Sequence, residues 1–498
     1  LSKLKSLAKQ TVWYGGSNIL SRFLNYLLTP LLTSVFASAD YGKISTLFAY
    51  AAFLNILFTY GMETAYFRFV QTEPENKVYN TAFSSILIST IALTCILWMG
   101  SYEIAAFMEI PSHPEYIQWM LWIVALDTLA VLPFSKLRHL GRPVKFAMIK
   151  TLNILLNIGL VLFFLVICKN SSPDSLWFSF YNHETGVGYV LLANLAASAL
   201  TLLLLCRELF AFKWELNRSF WKKLMHYSWP LLIVGFGGMV NEMIDRFMLL
   251  KLLPGTSEEA LSQVGIYSAN YKLAVLIVLF IQTFRLGAEP FFFSQSNAED
   301  APKTYARILK FFVIACCFCF LGVTLFLDLW KYFMGKTHSE YWSGLMIVPV
   351  LMLAKIFLGI YYNLSVWYKI TNRNLTGAWI TIMGVLITCT INYLLIPSIG
   401  YWACAVATVC CYGGMMIASA ILGQKYYPVP YEWKNAAFYI GCSLGLFLLH
   451  QLLIRIYAAN WYLFATGILL SLIFLLLIIQ KERKELAGFP LIGRYFQS

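Results

Sequence analysis

The chain has 498 residues, of which 59% are hydrophobic, 17% aromatic and only 12% charged, with a mean hydropathy of +0.68 and a formal net charge of +13. Soluble chains carry roughly 25% charged residues, and repeated apolar runs of about twenty residues are stable only in a bilayer core, so a string of soluble catalytic domains is excluded. The positive charge is scattered in short stretches between apolar segments rather than gathered on one patch, which points to membrane topology and away from nucleic acid.

About fourteen apolar segments are predicted to cross the membrane, at residues 11–36, 41–70, 79–101, 114–133, 143–168, 186–206, 221–253, 261–293, 305–330, 343–368, 374–396, 400–422, 433–456 and 460–480. Lys3, Lys5 and Lys9 lead into a first segment too long for a signal-peptide core, so that segment is expected to be retained. With the N-terminus inside, the outer segments hold six basic residues: Lys43, Lys169, Lys251, Lys331, Lys336 and Arg455. Six more fall within the membrane: Arg22, Lys150, Arg246, Lys272, Arg285 and Lys355. The remaining 25 of the 37 Lys and Arg lie in inner segments, so both termini are expected on the cytoplasmic side. The eleven cysteines sit in or beside apolar segments, and Cys316, Cys317 and Cys319 have no nearby His or carboxylate. Neither a disulfide framework nor a metal site is expected. Hinges are expected at Pro30, at Gly235, Gly237 and Gly238, and at Pro349.

The second segment ends in Gly61-Met62-Glu63-Thr64-Ala65-Tyr66-Phe67 and the eighth in Gly287-Ala288-Glu289-Pro290-Phe291-Phe292-Phe293, both reading G-x-E-x-x-aromatic-F. Arg22-Phe23 recurs as Arg246-Phe247, and Gly42 as Gly265, at nearly the same offset. An ordered repeat of this kind implies duplication of a six-helix unit. The expected fold is an all-α polytopic membrane protein, with two six-helix lobes in pseudo-twofold relation around a central cavity and two extra C-terminal helices. The boundaries are residues 1–210, 211–425 and 426–498. Such lobes can open to one side of the membrane and then the other, which makes a transporter the expected class. No catalytic triad, phosphate loop or metal motif is apparent, so an enzyme is not expected.

The stretches "SNILSRFLNYLLTPLLTSVFASADYGKIS", "DRFMLLKLLPGTSEEALSQVGIYSANYKLA" and "INYLLIPSIGYWACAVAT" resemble the polysaccharide transporter and O-antigen flippase branch of the multidrug/oligosaccharidyl-lipid/polysaccharide exporter superfamily. The resemblance runs over essentially the whole chain. It implies movement of a polyprenyl (undecaprenyl) diphosphate-linked oligosaccharide from the inner to the outer leaflet of a bacterial inner membrane. By likeness to the lipid II flippase, it also implies a groove for the prenyl tail on helices 13 and 14. Expected partners are the glycolipid, membrane lipids, and a polysaccharide polymerase with its assembly proteins; the chain is expected to be monomeric. No cofactor is expected beyond coupling to Na⁺ or H⁺.

Charges inside a membrane are costly unless they face protein or water. Glu242 with Arg246, and Arg285 with Glu289, stand four apart and can close along their own helices. Asp127 with Lys150, and Asp245 with Lys272, are placed at similar depths on consecutive helices and are also expected to be able to pair. Arg22 has no carboxylate at helical spacing; Asn18, Arg22, Asn25 and Thr29 form one polar stripe, and Lys355 likewise lacks an acid nearby on its helix. The candidate substrate contacts are Arg22, Asn18, Asn25, Lys355, Lys272, Arg246, Arg285 and Lys150, with Arg22 suited to bidentate contact with a diphosphate. Asn153, Asn157, Asn241 and Asn392 are candidates for sugar hydroxyls. Asp127, Asp245, Glu63 and Glu289 are the candidates for ion coupling. The competing reading is an ion-coupled multidrug exporter of the same superfamily. Its cavity would favour carboxylates, whereas the first segment here carries Arg22 and no acid.

Overall fold

A computed structural model describes residues 23–295, 298–335, 337–371, 373–456 and 460–486. Its helices are α1 (Phe23–Val35), α2 (Ser38–Phe69), α3 (Glu75–Met99), α4 (Pro114–His139), α5 (Pro143–Cys168), α6 (Gly188–Leu204) and α7 (Arg218–Leu252). They continue as α8 (Ser257–Gln295), α9 (Ala301–Thr324), α10 (Ser339–Ile370), α11 (Asn374–Ile399), α12 (Tyr401–Tyr426), α13 (Trp433–Ile456) and α14 (Asn460–Leu486). The described residues contain no strand. Eleven of the described helices are long and apolar enough to cross a membrane, and α1 and α6 are shorter apolar helices. Helix α7 is not among the eleven; it carries Lys222, Lys223, Glu242, Asp245 and Arg246, and polar residues and glycines interrupt the stretch between. Each of the fourteen predicted segments thus has its helix.

Local chemistry sets the boundaries. Pro114, Pro143 and Pro302 occupy first turns, where a missing N–H costs nothing. Pro349, expected to be a hinge, also stands at a helix start, in the first turn of the α-helical part of α10. The prolines inside helices are Pro30, Pro133, Pro230, Pro290 and Pro397. Helix α2 breaks where the sequence suggested continuity: Tyr60 and Gly61 have φ of 32° and 73°. A Cβ on Gly61 would also meet Leu231 Cβ at 3.1 Å, so glycine serves both the turn and the packing of α7 against it. The break starts a separate short helix, Met62–Phe69, which carries Glu63.

The described residues fall into two compact units. The first lies within Leu1–Lys272, Met334–Gly344 and Leu375–Met415; the second lies within Leu273–Phe333, Leu345–Asn374 and Met416–Ser498. In the first, α2 packs on α4 and α7, α3 on α4, and α6 on both α4 and α5. Tyr66, Tyr79, Phe83, Leu132, Phe220 and Leu224 form one of its buried cores. In the second, α9 packs on α10 and α13, and α13 on α14.

The repeat has a physical trace within the first unit. Gly42 and Gly265 sit where the starts of α2 and α8 cross, and a Cβ on either would overlap the backbone carbonyl of the other helix, Leu261 and Ser38 respectively. Ser38 Oγ and Ser262 Oγ hydrogen-bond across the same crossing at 2.6 Å. Small residues permit such close backbone approach between membrane helices.

Candidate functional site

The polar groups of the first unit gather in two places. One is a cavity of about 470 Å³ walled by α1, α2, α4, α5 and α6. Helix α5 presents Lys150, Asn153 and Asn157 to it, and α6 presents Asn194, Ser198 and Thr201, each set at helical spacing. Helix α4 contributes Asp127, Phe134 and Arg138; α2 contributes Asn55 and Glu63, and α1 contributes Asn25.

The contacts divide the four charges into two kinds. Arg138 closes an ion pair with Glu63 through Nη2 and lies 4.8 Å from the centre of the Phe67 ring. Asp127 and Lys150 share the cavity, as their matched depth predicted, yet no ion pair joins them. Ser198 Oγ donates to Asp127 Oδ1 at 2.7 Å, while Lys150 Nζ stands 4.5 Å over the Phe134 ring. The expected pairing is corrected here: a serine and an aromatic face take the places of the opposite charges. Asn153 Nδ2 donates to Thr201 Oγ1 at 2.9 Å, and Asn157 Oδ1 is buried with no hydrogen-bond partner among the described residues.

The second gathering is closed. Arg246 and Asp245, each 5% exposed, pair at 2.6 Å through Nη1 and Oδ1. Tyr267 donates its hydroxyl to the other oxygen of Asp245. Arg246 Nη1 reaches the Glu242 backbone carbonyl at 2.7 Å, while the Glu242 carboxylate accepts from Tyr271 and, at 2.7 Å, from Tyr412. Two pairing expectations are therefore corrected. The ionic partner of Arg246 is its neighbour Asp245 rather than Glu242, whose carboxylate is taken up by the hydroxyls of Tyr271 and Tyr412. Lys272, expected opposite Asp245, is half-buried with no ion pair or hydrogen bond among the described residues.

In the second unit, Lys355 is wholly buried in α10, and the Arg285 guanidinium lies 4.0 Å from the centre of the Tyr362 ring. Arg22 and Asn18 lie outside the described residues, as does the side chain of Glu289. Of the asparagines singled out on the later helices, Asn241 Nδ2 donates to the Thr381 carbonyl at 3.2 Å, and Asn392 is fully buried.

Of the residues singled out in the sequence, the cavity brings together Asn25, Glu63, Asp127, Lys150, Asn153 and Asn157, and it adds Asn55, Arg138, Asn194, Ser198 and Thr201, which the sequence reading did not name. The i, i+4 spacing of Asn194 and Ser198 within an apolar segment was the available signal. Arg138 carried none, since it belongs by sequence to an inner basic loop. Among the described residues, no group of three or more His, Cys, Asp or Glu is placed to hold a metal ion.

Helices long and apolar enough to cross a membrane, with a polar, charge-bearing cavity among α1, α2, α4, α5 and α6, define the class as a multi-span membrane protein. Its fold is similar to those of solved flippase and multidrug transporter structures. The lipid II flippase MurJ in an inward closed conformation is similar with a TM-score of 0.74 at 13% identity, covering 94% of this chain and 99% of that one. An inward-facing multidrug resistance MATE family transporter is similar at 0.63 and 14% identity, covering 81% and 93%. A point mutant of the Vibrio cholerae MATE transporter VcmN is similar at 0.56 and 12% identity, covering 86% and 99%. No curated protein sequence matches. The family described as "Polysaccharide biosynthesis protein" matches residues 7–294, and the chain belongs to that family.

Proposed function

We propose that the protein is an alternating-access flippase. Its substrates are polyprenyl-diphosphate-linked oligosaccharide repeat units of the O-antigen, capsule or exopolysaccharide kind, carried from the inner to the outer leaflet of a bacterial cytoplasmic membrane. The observation that carries this reading is the cavity, which gathers five asparagines, Lys150 and Arg138 among apolar helices. Amides complement sugar hydroxyls, and a cation complements phosphate oxygens more strongly as water is excluded. The family's description and the likeness to a lipid II flippase support the same direction.

In this reading, residues 1–210 and 211–425 are the two lobes whose rocking alternates access, and both termini are cytoplasmic. Residues 426–498 supply α13 and α14, with a groove for the prenyl tail. Lys150 joins Arg22, Asn18 and Asn25 as a headgroup contact. Na⁺ or H⁺ drives the cycle, and the monomer works beside a polymerase and its assembly proteins.

The likeness to MATE transporters favours a second reading, ion-coupled export of organic cations. Asp127 suits a cationic drug, but Lys150 in the same cavity repels one. Binding of a polyprenyl-diphosphate oligosaccharide to the protein in lipid nanodiscs separates the two readings. The flippase reading predicts saturable glycolipid binding that a lipophilic cation does not displace, weakened about tenfold by Lys150→Gln, the worth of one charged hydrogen bond. Drug binding without glycolipid binding would overturn it.

A further inference from the structure

The charges of the cavity hold a second message, which rests on the flippase reading above. Glu63 and Arg138 pair in contact, whereas Asp127 and Lys150 feel each other across the cavity and have no ion pair in contact among the described residues. A site for a neutral glycan needs neither. A site for a purely anionic headgroup is weakened by the Asp127 carboxylate, because like charges in a poorly hydrated cavity repel. A site for an organic cation is weakened by the lysine in the same way.

Only a ligand carrying both signs is opposed by neither residue. We propose that the cavity selects an oligosaccharide bearing an unacylated amino group beside an anionic group, with Asp127 as the pole that reads the amine and Lys150 as the pole that reads the anion.

The local contacts fit these roles. Ser198 Oγ occupies one oxygen of Asp127 at 2.7 Å, which fixes the carboxylate and leaves its second oxygen as an acceptor for an ammonium donor. The Phe134 ring, 4.5 Å from Lys150 Nζ, steadies the ammonium without neutralising it, so its hydrogen-bonding capacity stays available to an anion. Asn157 Oδ1, buried without a partner among the described residues, is an acceptor awaiting a hydroxyl or N–H on the sugar. The anion read by Lys150 has two sources of the same chemistry, the diphosphate itself or a carboxylate on a sugar.

The test uses the full-length protein in lipid nanodiscs and polyprenyl-diphosphate trisaccharides identical except at one amino sugar, either free or N-acetylated, each made with and without a uronic acid. The free amine is expected to bind about tenfold more tightly than its acetylated twin, the effect of one charge-assisted hydrogen bond. Asp127→Asn is expected to bring that ratio close to one. A gain from the uronic acid that Lys150→Gln removes assigns the anion to the sugar; no such gain assigns it to the diphosphate.

Equal affinity of wild type for the free and acetylated probes overturns the proposal, and this comparison needs no variant to fold. A ratio that survives in a folded Asp127→Asn protein overturns it too. Failure of every probe to bind is a different result: it removes the flippase reading on which the proposal stands.

Discussion

Arg246 shows how a charge is held inside an apolar helix bundle. Its guanidinium is satisfied by the Asp245 carboxylate, the Glu242 carbonyl and the faces of Tyr267 and Tyr271 at 5.2 and 4.5 Å, so its charge is spent within the fold. Lys150 differs in having an aromatic face and no carboxylate in contact. That contrast separates a structural charge from one available to a ligand. Asp245→Asn would strand a guanidinium that is only 5% exposed, with a predicted cost of about 3–5 kcal/mol. The double variant Asp245→Asn, Arg246→Met is expected to recover much of that loss, because it removes the stranded charge. Thermal unfolding in detergent reads both, and an unchanged midpoint for Asp245→Asn would contradict the assignment. The sequence placed these residues on the right helix but chose the wrong acid, since i, i+4 spacing measures proximity along a helix and not the direction in which a buried side chain turns.

Helices meet in this protein through small residues, aromatic cores and a few ionic clasps. The clearest clasp belongs to the second unit, where Lys310 on α9, 4% exposed, contacts Glu432 at 3.1 Å, Glu482 at 3.0 Å and Glu485 at 2.5 Å. Glu432 and Glu485 are about one third exposed or more and solvent screens them, so the contact that matters energetically is the one to Glu482, which is 5% exposed and also accepts from Tyr439 at 2.6 Å. Glu482 interrupts the helical geometry of α14 with φ −105° and ψ 15°, so the clasp fastens the last turn of that helix to α9 and α13. Lys310→Met is predicted to release that turn. Amide hydrogen exchange should then rise at residues 481–486 while α9 and the middle of α13 keep their protection; uniform protection would show that apolar packing alone holds α14 in place. The helices themselves were legible from hydropathy, and the correspondence of Gly42 with Gly265 from the repeat, but not that the two helices cross there. The break at Tyr60 and Gly61 was hidden, because one glycine inside a long apolar run does not distinguish a turn from a continuing helix.

For the chain as a whole, composition was enough to read a polytopic membrane protein, because runs of about twenty apolar residues have one common solvent. The cavity was legible only in part. Asn55, Asn153, Asn157 and Asn194 are all amides in apolar segments, but which of them share a wall, and that Arg138 joins them, shows only once α2, α4, α5 and α6 surround the same space. Which helices share a wall is a tertiary fact that periodicity within one helix does not contain. The claim that unites fold, family and cavity is that this protein moves a lipid-linked glycan between leaflets. We would measure it in proteoliposomes loaded with a fluorescent polyprenyl-diphosphate oligosaccharide, adding a membrane-impermeant quencher and following the pool of label it cannot reach. The account predicts that this protected pool shrinks in a protein-dependent manner, and more slowly with Lys150→Gln. A protected pool that matches protein-free liposomes, under conditions where the same preparation exports a lipophilic cation, would contradict it.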